Sequence, residues 1–185
     1  MNRLLLSLLI AIYATSCNYE TKDFEIGKYH IGHLTDSTQV KDLKMIFSND
    51  SISHFDSDNA LSSNIKAIEI FDKQGNKLLV LSPRIFSDST SVISNVQIMD
   101  SRYKTKENIS TLSTFKDIAD AYKITRINNL INSIVVSVNT INATFTIDKK
   151  ELPANLRFDR KLNIEATHIP DNAKIKYFFV NWNNK

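Results

Sequence analysis

The sequence is poor in cysteine, glycine and proline: it has one cysteine, three glycines and three prolines among 185 residues. The single cysteine, Cys17, excludes a disulfide within the chain, so the fold depends on packing alone. So few glycines leave no glycine-rich phosphate loop and no Gly-x-Ser-x-Gly nucleophile turn. Asn, Ser and Asp must therefore form most of the turns.

Long hydrophobic runs are also missing. The longest, residues 4–13, is interrupted by Ser7 and is too short to cross a hydrocarbon core of about 30 Å. Arg3 precedes this run, and small residues at 14–16 separate it from Cys17, which is the layout of a secretory signal. We predict a signal peptide over residues 1–16. An ordinary cleaved signal with a chance cysteine and an uncleaved anchor are the alternatives. The rest of the chain is predicted to be soluble.

The charge balance is close to neutral. Lys and Arg number 23 and Asp and Glu 20, which gives a net charge of +3 and a pI of about 8.9. The sequence has no dense basic stripe, so binding to nucleic acid is excluded on electrostatic grounds. Hydrophobic residues make up 42% of the chain, which is enough for a real core.

Hydrophobic periodicity predicts two short helices. Apolar residues at helical spacing fall in residues 38–47 and again in residues 114–122, where Ser113 or Thr114 supplies the N-cap. The remaining apolar segments predict strands at residues 24–32, 64–72, 77–82, 90–100, 133–140, 141–148, 157–167 and 174–182. We therefore predict an α+β fold in which two short helices pack on a mainly antiparallel β-sheet.

Residues 141–148 alternate strictly. Ile141, Ala143, Phe145 and Ile147 are predicted to face inward, and Asn142, Thr144 and Thr146 outward. This pattern is typical of a sheet with one buried face and one solvent-exposed face. Residues 174–182 are apolar on both sides, which predicts a strand between two others.

A shift of 75 residues aligns the two predicted helices, with Val40 on Phe115 and the pair Lys41-Asp42 on Lys116-Asp117. This indicates a tandem αβββ duplication with half-repeats 24–100 and 101–185 inside one domain, residues 24–185. The second face of such a sheet would be free for a partner. The alternative is that two amphipathic helices share this pattern by chance.

Candidate binding residues lie in the loop before the second helix, where Arg102, Tyr103 and Lys104 are predicted to form a ligand-facing corner. A metal site would have to use His30 and His33 with His54, Asp56 and Asp58. In a strand, His30 and His33 face opposite sides. We therefore predict no metal and no cofactor.

Two segments resemble known bacterial proteins. Residues 14–17, Ala-Thr-Ser-Cys, resemble the lipobox of Bacteroidota-type lipoproteins, and residues 101–127, with Asn108 in place of a glycine, resemble a segment of uncharacterised Bacteroidota lipoproteins. This resemblance implies diacylglycerol on Cys17, a lipidated tether over residues 17–23, and a cell-envelope location, most often the outer membrane. Three Asp-Ser-Thr or Asp-Ser-Ile triplets also resemble O-glycan acceptors of exported Bacteroidota proteins, at Ser37, Ser51 and Ser89.

Three functions follow as hypotheses. The first is a non-catalytic protein-binding or scaffold module for another envelope protein, as the resemblance implies. The second is a small-ligand or glycan-binding protein of an uptake or cell-wall system, with a concave pocket and exposed aromatics such as Tyr103 or Tyr122. The third is an enzyme, which would need His30, His54 or His168 to meet carboxylates in a cleft.

Overall fold

A computed structural model describes residues 22–55, 67–86, 88–159 and 161–182. The predicted signal peptide, Cys17 and the tether up to residue 21 lie outside these residues, as do Asp56 and Asp58. The described chain is mostly β-structure in two sheets. Its helices are too short and too polar to cross a membrane.

The larger sheet has eight antiparallel strands. In chain order these are β4 (Ser51–Phe55), β5 (Ala67–Phe71), β6 (Lys77–Pro83), β7 (Ile93–Ile98), β9 (Arg126–Asn129), β10 (Ser133–Val138), β11 (Ala143–Asp148) and β12 (Ile175–Asn181). Their spatial order is β4-β5-β6-β7-β12-β11-β10-β9, so two four-stranded meanders meet where β7 pairs with β12. The prediction that the last strand lies between others is confirmed.

The smaller sheet is built from strands of two residues. Its order is β3 (Leu34–Thr35), β2 (His30–Ile31), β1 (Glu25–Ile26) and β8 (Lys104–Thr105), and β8 runs parallel to β1. Sequence analysis predicted a single strand over residues 24–32, which is wrong. The backbone reverses at residues 27–29, where the Gly27 N–H donates to the His30 carbonyl oxygen at 2.9 Å.

The predicted α+β fold with two helices on one sheet is wrong. Among the described residues, only α2 (Phe115–Ala121) is a helix of two turns, whereas α1 (Leu43–Ile46) is a single turn after a 3-10 turn at Val40–Asp42. The predicted αβββ unit is wrong as well, because each meander has four strands. The predicted edge strand at residues 157–167 is not formed; its described part holds the start of a 3-10 turn, Ala166–His168.

One hydrophobic core joins both sheets and both helices. It contains alternate residues of the larger sheet, such as Phe145 and Phe178, whose rings lie 4.5 Å apart. The smaller sheet and the helices cover this inner face with Ile26, Ile31, Leu34, Leu43, Phe115 and Ile118. At about 25 cal/mol per Å² of buried apolar surface, this packing is the main stabilising force of a chain without disulfides.

The backbone contacts of the first helical segment recur 75 residues later. The N–H groups of Val40 and Lys41 donate to carbonyls at residues 91 and 89, just before β7. Those of Phe115 and Lys116 donate to carbonyls at residues 173 and 171, just before β12. Each pair fills donors that the first helical turn leaves unsatisfied. A duplication with half-repeats 24–100 and 101–185 stays a prediction.

Candidate functional site

The most extensive candidate surface is the outer face of the larger sheet, opposite the core. The registers of seven strand pairs place one residue from each strand in a continuous row across this face. From β4 to β9 the row reads Ser53, Glu69, Val80, Gln97, Phe179, Thr144, Ser137 and Arg126. A second row on the same face contains Tyr177, Thr146, Val135 and Asn128.

Apolar residues of this outer face are separate from the core. Phe71, Val80, Val135 and Phe179 are partly exposed, and none of them belongs to the core cluster or packs against it. Tyr177 is 42% exposed. By contrast, the residues on either side of Val80, Val135 and Phe179 in the same strands are buried. The outer face is thus exposed to solvent but carries a band of apolar side chains, which is typical of a surface that binds a partner.

Two ion pairs neutralise four charges of the outer face, and Arg126 at the β9 edge is an exposed cation. Lys77 donates to Glu69, and Lys176 donates to Asp148 at 3.1 Å. The backbone N–H of Lys150, together with the Lys176 ammonium, lowers the pKa of Asp148. Local neutrality means that this face has no strong preference for a charged partner.

One end of the outer face is polar. Asn95 donates to the Asn181 side-chain oxygen, and the Asn181 amide donates to Thr144 Oγ1 at 3.2 Å. These groups adjoin an open hollow of about 520 Å³. Its lining residues are Thr125, Arg126, Ser137, Asn139, Asn142, Ala143, Thr144 and Asn181. Amides and hydroxyls beside the Phe179 ring are the kind of groups that hold a sugar.

Arg102, which the sequence placed in a binding corner, is held within the fold. Its guanidinium donates to Asp100 Oδ2 at 2.8 Å and to Asp72 Oδ2 at 3.1 Å. Its central carbon lies 4.8 Å from the centre of the Phe24 ring. Arg102 therefore joins the ends of β5 and β7 to the first described turn of the chain through Nε and Nη2, while its side chain stays about half exposed.

The other two residues of the predicted corner differ in exposure. Tyr103 is 3% exposed and packs edge-on against Phe24 at 4.9 Å, so the prediction that it faces a ligand is wrong. Burial raises its pKa. Tyr122 is also buried, and its hydroxyl donates to Glu107. Lys104 is exposed and lines an open hollow of about 1020 Å³ beside α2.

Asp72 should make the free energy of unfolding depend on pH in the acid range. It accepts from the Asn76 amide at 3.1 Å, from the Gln74 and Asn76 N–H groups, and from Arg102, and these bonds lower its pKa. Because the folded pKa lies below the unfolded one, the stabilisation is present above about pH 4 and is lost as the pH falls through the folded pKa. In urea unfolding from pH 6 to pH 2, the Asp72→Asn variant should have a lower free energy of unfolding than the wild type at pH 6. As the pH decreases, that free energy should fall less in the variant than in the wild type. An unchanged profile would contradict this.

Three of the four histidines have polar partners close in sequence. His30 contacts Glu25 at 3.4 Å, His33 contacts Asp23 at 2.9 Å, and His168 Nδ1 accepts from the Glu165 N–H. Across the described ranges, no three His, Cys, Asp or Glu residues converge to hold a metal ion. The predicted glycan acceptors Ser37, Ser51 and Ser89 are all exposed, and their modification stays a prediction.

Two features of the structure could not be predicted from the sequence. Lys149 is 3% exposed, and its Nζ has no hydrogen-bond partner among the described residues. Large apolar side chains are exposed at the β9–β10 turn and the neighbouring loop, with Leu130 48%, Ile131 64% and Phe158 87% exposed. A run of two apolar residues in a turn, Leu130-Ile131, is the one hint that the sequence offered.

These observations define a mostly β, two-sheet protein with one open sheet face. Among solved structures, it is similar to the crystal structure of the uncharacterized protein yfeY from Escherichia coli, with a TM-score of 0.55 and 13% identity. The likeness covers 85% of this chain and 99% of that chain, and at this identity it shows the fold alone. No protein-family model and no curated protein matches the chain.

Proposed function

We propose that this protein is a lipid-anchored envelope lipoprotein that binds another envelope protein through the outer face of its larger sheet. The role is non-catalytic, and Cys17 carries the anchor. The partner surface is predicted to be near-neutral and partly apolar, because Lys77 pairs with Glu69 and Lys176 with Asp148 on the outer face.

The observation that carries this proposal is the apolar band outside the core. Phe179 and Val80 both face Gln97 of β7, one from each neighbouring strand, and Tyr177 lies further along the strand of Phe179. Aromatic side chains at the centre of a flat, partly polar surface are the groups that most often dominate protein–protein binding. The apolar side chains of the outer face contribute nothing to the core, so burial in the core does not explain why they are apolar.

A photo-crosslinking experiment tests the proposal. Benzoylphenylalanine is placed at Val80 or Phe179 of the lipidated full-length protein in its own membranes. The controls are Met45 and Leu112, which are 76% and 79% exposed but lie away from the outer face. Both outer-face positions should give one adduct of the same mass, and the controls should not.

A second variant makes the result specific. Adding Tyr177→Asp should reduce the Val80 adduct about tenfold or more, the effect of losing about 1.4 kcal/mol of binding. Equal adducts from all four positions, or an adduct that survives Tyr177→Asp unchanged, would contradict the proposed surface.

A glycan-binding role is the second candidate, and the polar hollow beside Phe179 is the observation that favours it. Asn181, Asn142 and Thr144 supply amide and hydroxyl groups there. Isothermal titration with soluble cell-wall oligosaccharides tests it: saturable heat that Asn181→Ala abolishes would support sugar binding, and no heat from the wild type would exclude it for those oligosaccharides.

A further inference from the structure

Three exposed apolar side chains form a single tip on the larger sheet. Leu130 and Ile131 lie in the turn between β9 and β10, and Phe158 lies in a neighbouring loop. The Asn129 amide ties this loop to the turn by donating to the carbonyl oxygens of Asp159 at 3.0 Å and Leu162 at 2.9 Å. We call Leu130, Ile131 and Phe158 the apolar tip.

Strand registers show at which end of the sheet the apolar tip lies. It precedes Ser133, the first residue of β10, which pairs with Asp148, the last residue of β11. Ile147 pairs with Ile175 at the start of β12, and Phe178 of β12 pairs with Ile98, the last residue of β7. The apolar tip and the end of β7 therefore share one end of the sheet, which we call the tip end.

The described chain also begins at the tip end. Phe24 contacts Arg102 and Tyr103, which follow β7 by a few residues. Cys17 and Lys22 are five positions apart, a step that spans at most about 18 Å when extended. An anchor at Cys17 would thus hold the tip end within a short distance of the membrane.

We propose that the tip end faces the membrane and that the apolar tip inserts into the lipid headgroup region. The proposal rests on the anchor at Cys17. Exposed Lys161 and Asp159 line the same hollow as Leu130 and Ile131, a mixed polar rim that suits the interface rather than the hydrocarbon core. The strands then point towards the membrane, and the outer face opens sideways to its protein partner.

Spin-label depth measurements test this insertion with a matched control. Ile131→Cys and Ile85→Cys each carry a nitroxide in the lipidated full-length protein, where Cys17 has no free thiol. Ile85 is 56% exposed and follows β6, whose last residue pairs with the first residue of β7, so it lies at the opposite end of the sheet. The proteins are reconstituted in vesicles of phosphatidylethanolamine and phosphatidylglycerol.

The label at residue 131 should collide severalfold more with oxygen, relative to a water-soluble nickel complex, than the label at residue 85. Equal, water-like collision ratios at both positions would overturn the insertion, and so would a label at residue 131 shielded from both reagents, which would indicate a protein cover.

Flotation separates this outcome from failure of the anchor. Co-flotation of the wild type with vesicles that Cys17→Ala abolishes supports the anchor by itself, whatever the label reports. If the protein floats with the vesicles but the label at residue 131 gives a water-like collision ratio, the insertion is overturned and the proposed anchor is still supported. Absence of flotation by the wild type overturns the anchor and, with it, the insertion that rests on it.

Discussion

Phe178→Ala is expected to lower the free energy of unfolding by about 3–5 kcal/mol, and Phe179→Ala by about 1 kcal/mol or less. Phe178 is 0% exposed and packs against Phe145 between β7 and β11. Its truncation leaves a cavity in a densely packed interior. Phe179, the next residue of the same strand, is partly exposed on the outer face and loses far fewer contacts.

This pair is a matched test, because both residues are phenylalanine, in β12 and next to each other. Urea unfolding of the two purified variants and the wild type gives both values. Similar losses from both substitutions would mean that the two faces of the sheet are equally buried, which would remove the open outer face from the account.

Lys149→Met is expected to raise the free energy of unfolding by about 1–3 kcal/mol. The Lys149 Nζ is buried without a hydrogen-bond partner in the described part of the chain, so its desolvation is uncompensated. Methionine has a similar length and flexibility and fills the same space without a polar group. The backbone N–H of Lys149 still donates to the Asn132 carbonyl oxygen in the variant.

The neighbouring Lys150→Met is the control, because Lys150 is exposed and its loss should change stability by about 0.5 kcal/mol or less. Thermal and urea unfolding measure both variants. A loss of stability in Lys149→Met with no change in Lys150→Met would show that the Lys149 ammonium has a partner or a role that the fold requires.

Local signals in the sequence predicted part of this fold well. The helix expected over residues 114–122 forms as α2, with Thr114 as N-cap. In its capping box the Asp117 N–H donates to Thr114 Oγ1, and the Asp117 carboxylate accepts from the Thr114 N–H. The alternation of residues 141–148 puts Phe145 inside and Thr144 and Thr146 outside as expected. Asn108, which stands in place of a glycine in the segment that resembles the lipoproteins, has a φ of 63°.

Long-range contacts decided what the sequence could not show. The first predicted helix begins as a 3-10 turn, and the N–H groups of Val40 and Lys41 bind carbonyls some 50 residues away in the chain. The smaller sheet has strands of two residues, too short for any alternation to reveal. The parallel pairing of β8 with β1 depends on residues almost 80 positions apart.

The candidate site was predicted in outline only. An antiparallel sheet with one free face followed from the alternation at residues 141–148, but which apolar residues shared that face depended on the order of eight strands. Tyr103 was misplaced because the loop sequence around it is polar, while its ring is covered by Phe24, far earlier in the chain. The apolar tip needed the Asn129 contacts that bring Phe158 beside Leu130.

The proposed attachment to the membrane depends on Cys17. Cells fed an alkyne fatty acid, followed by purification of the protein and mass spectrometry of its N-terminal peptide, test this directly. We predict a diacylglycerol-modified Cys17 as the first residue of the mature wild-type chain and complete loss of the label in Cys17→Ala. An unlabelled wild type, or equal labelling of both proteins, would contradict the anchor.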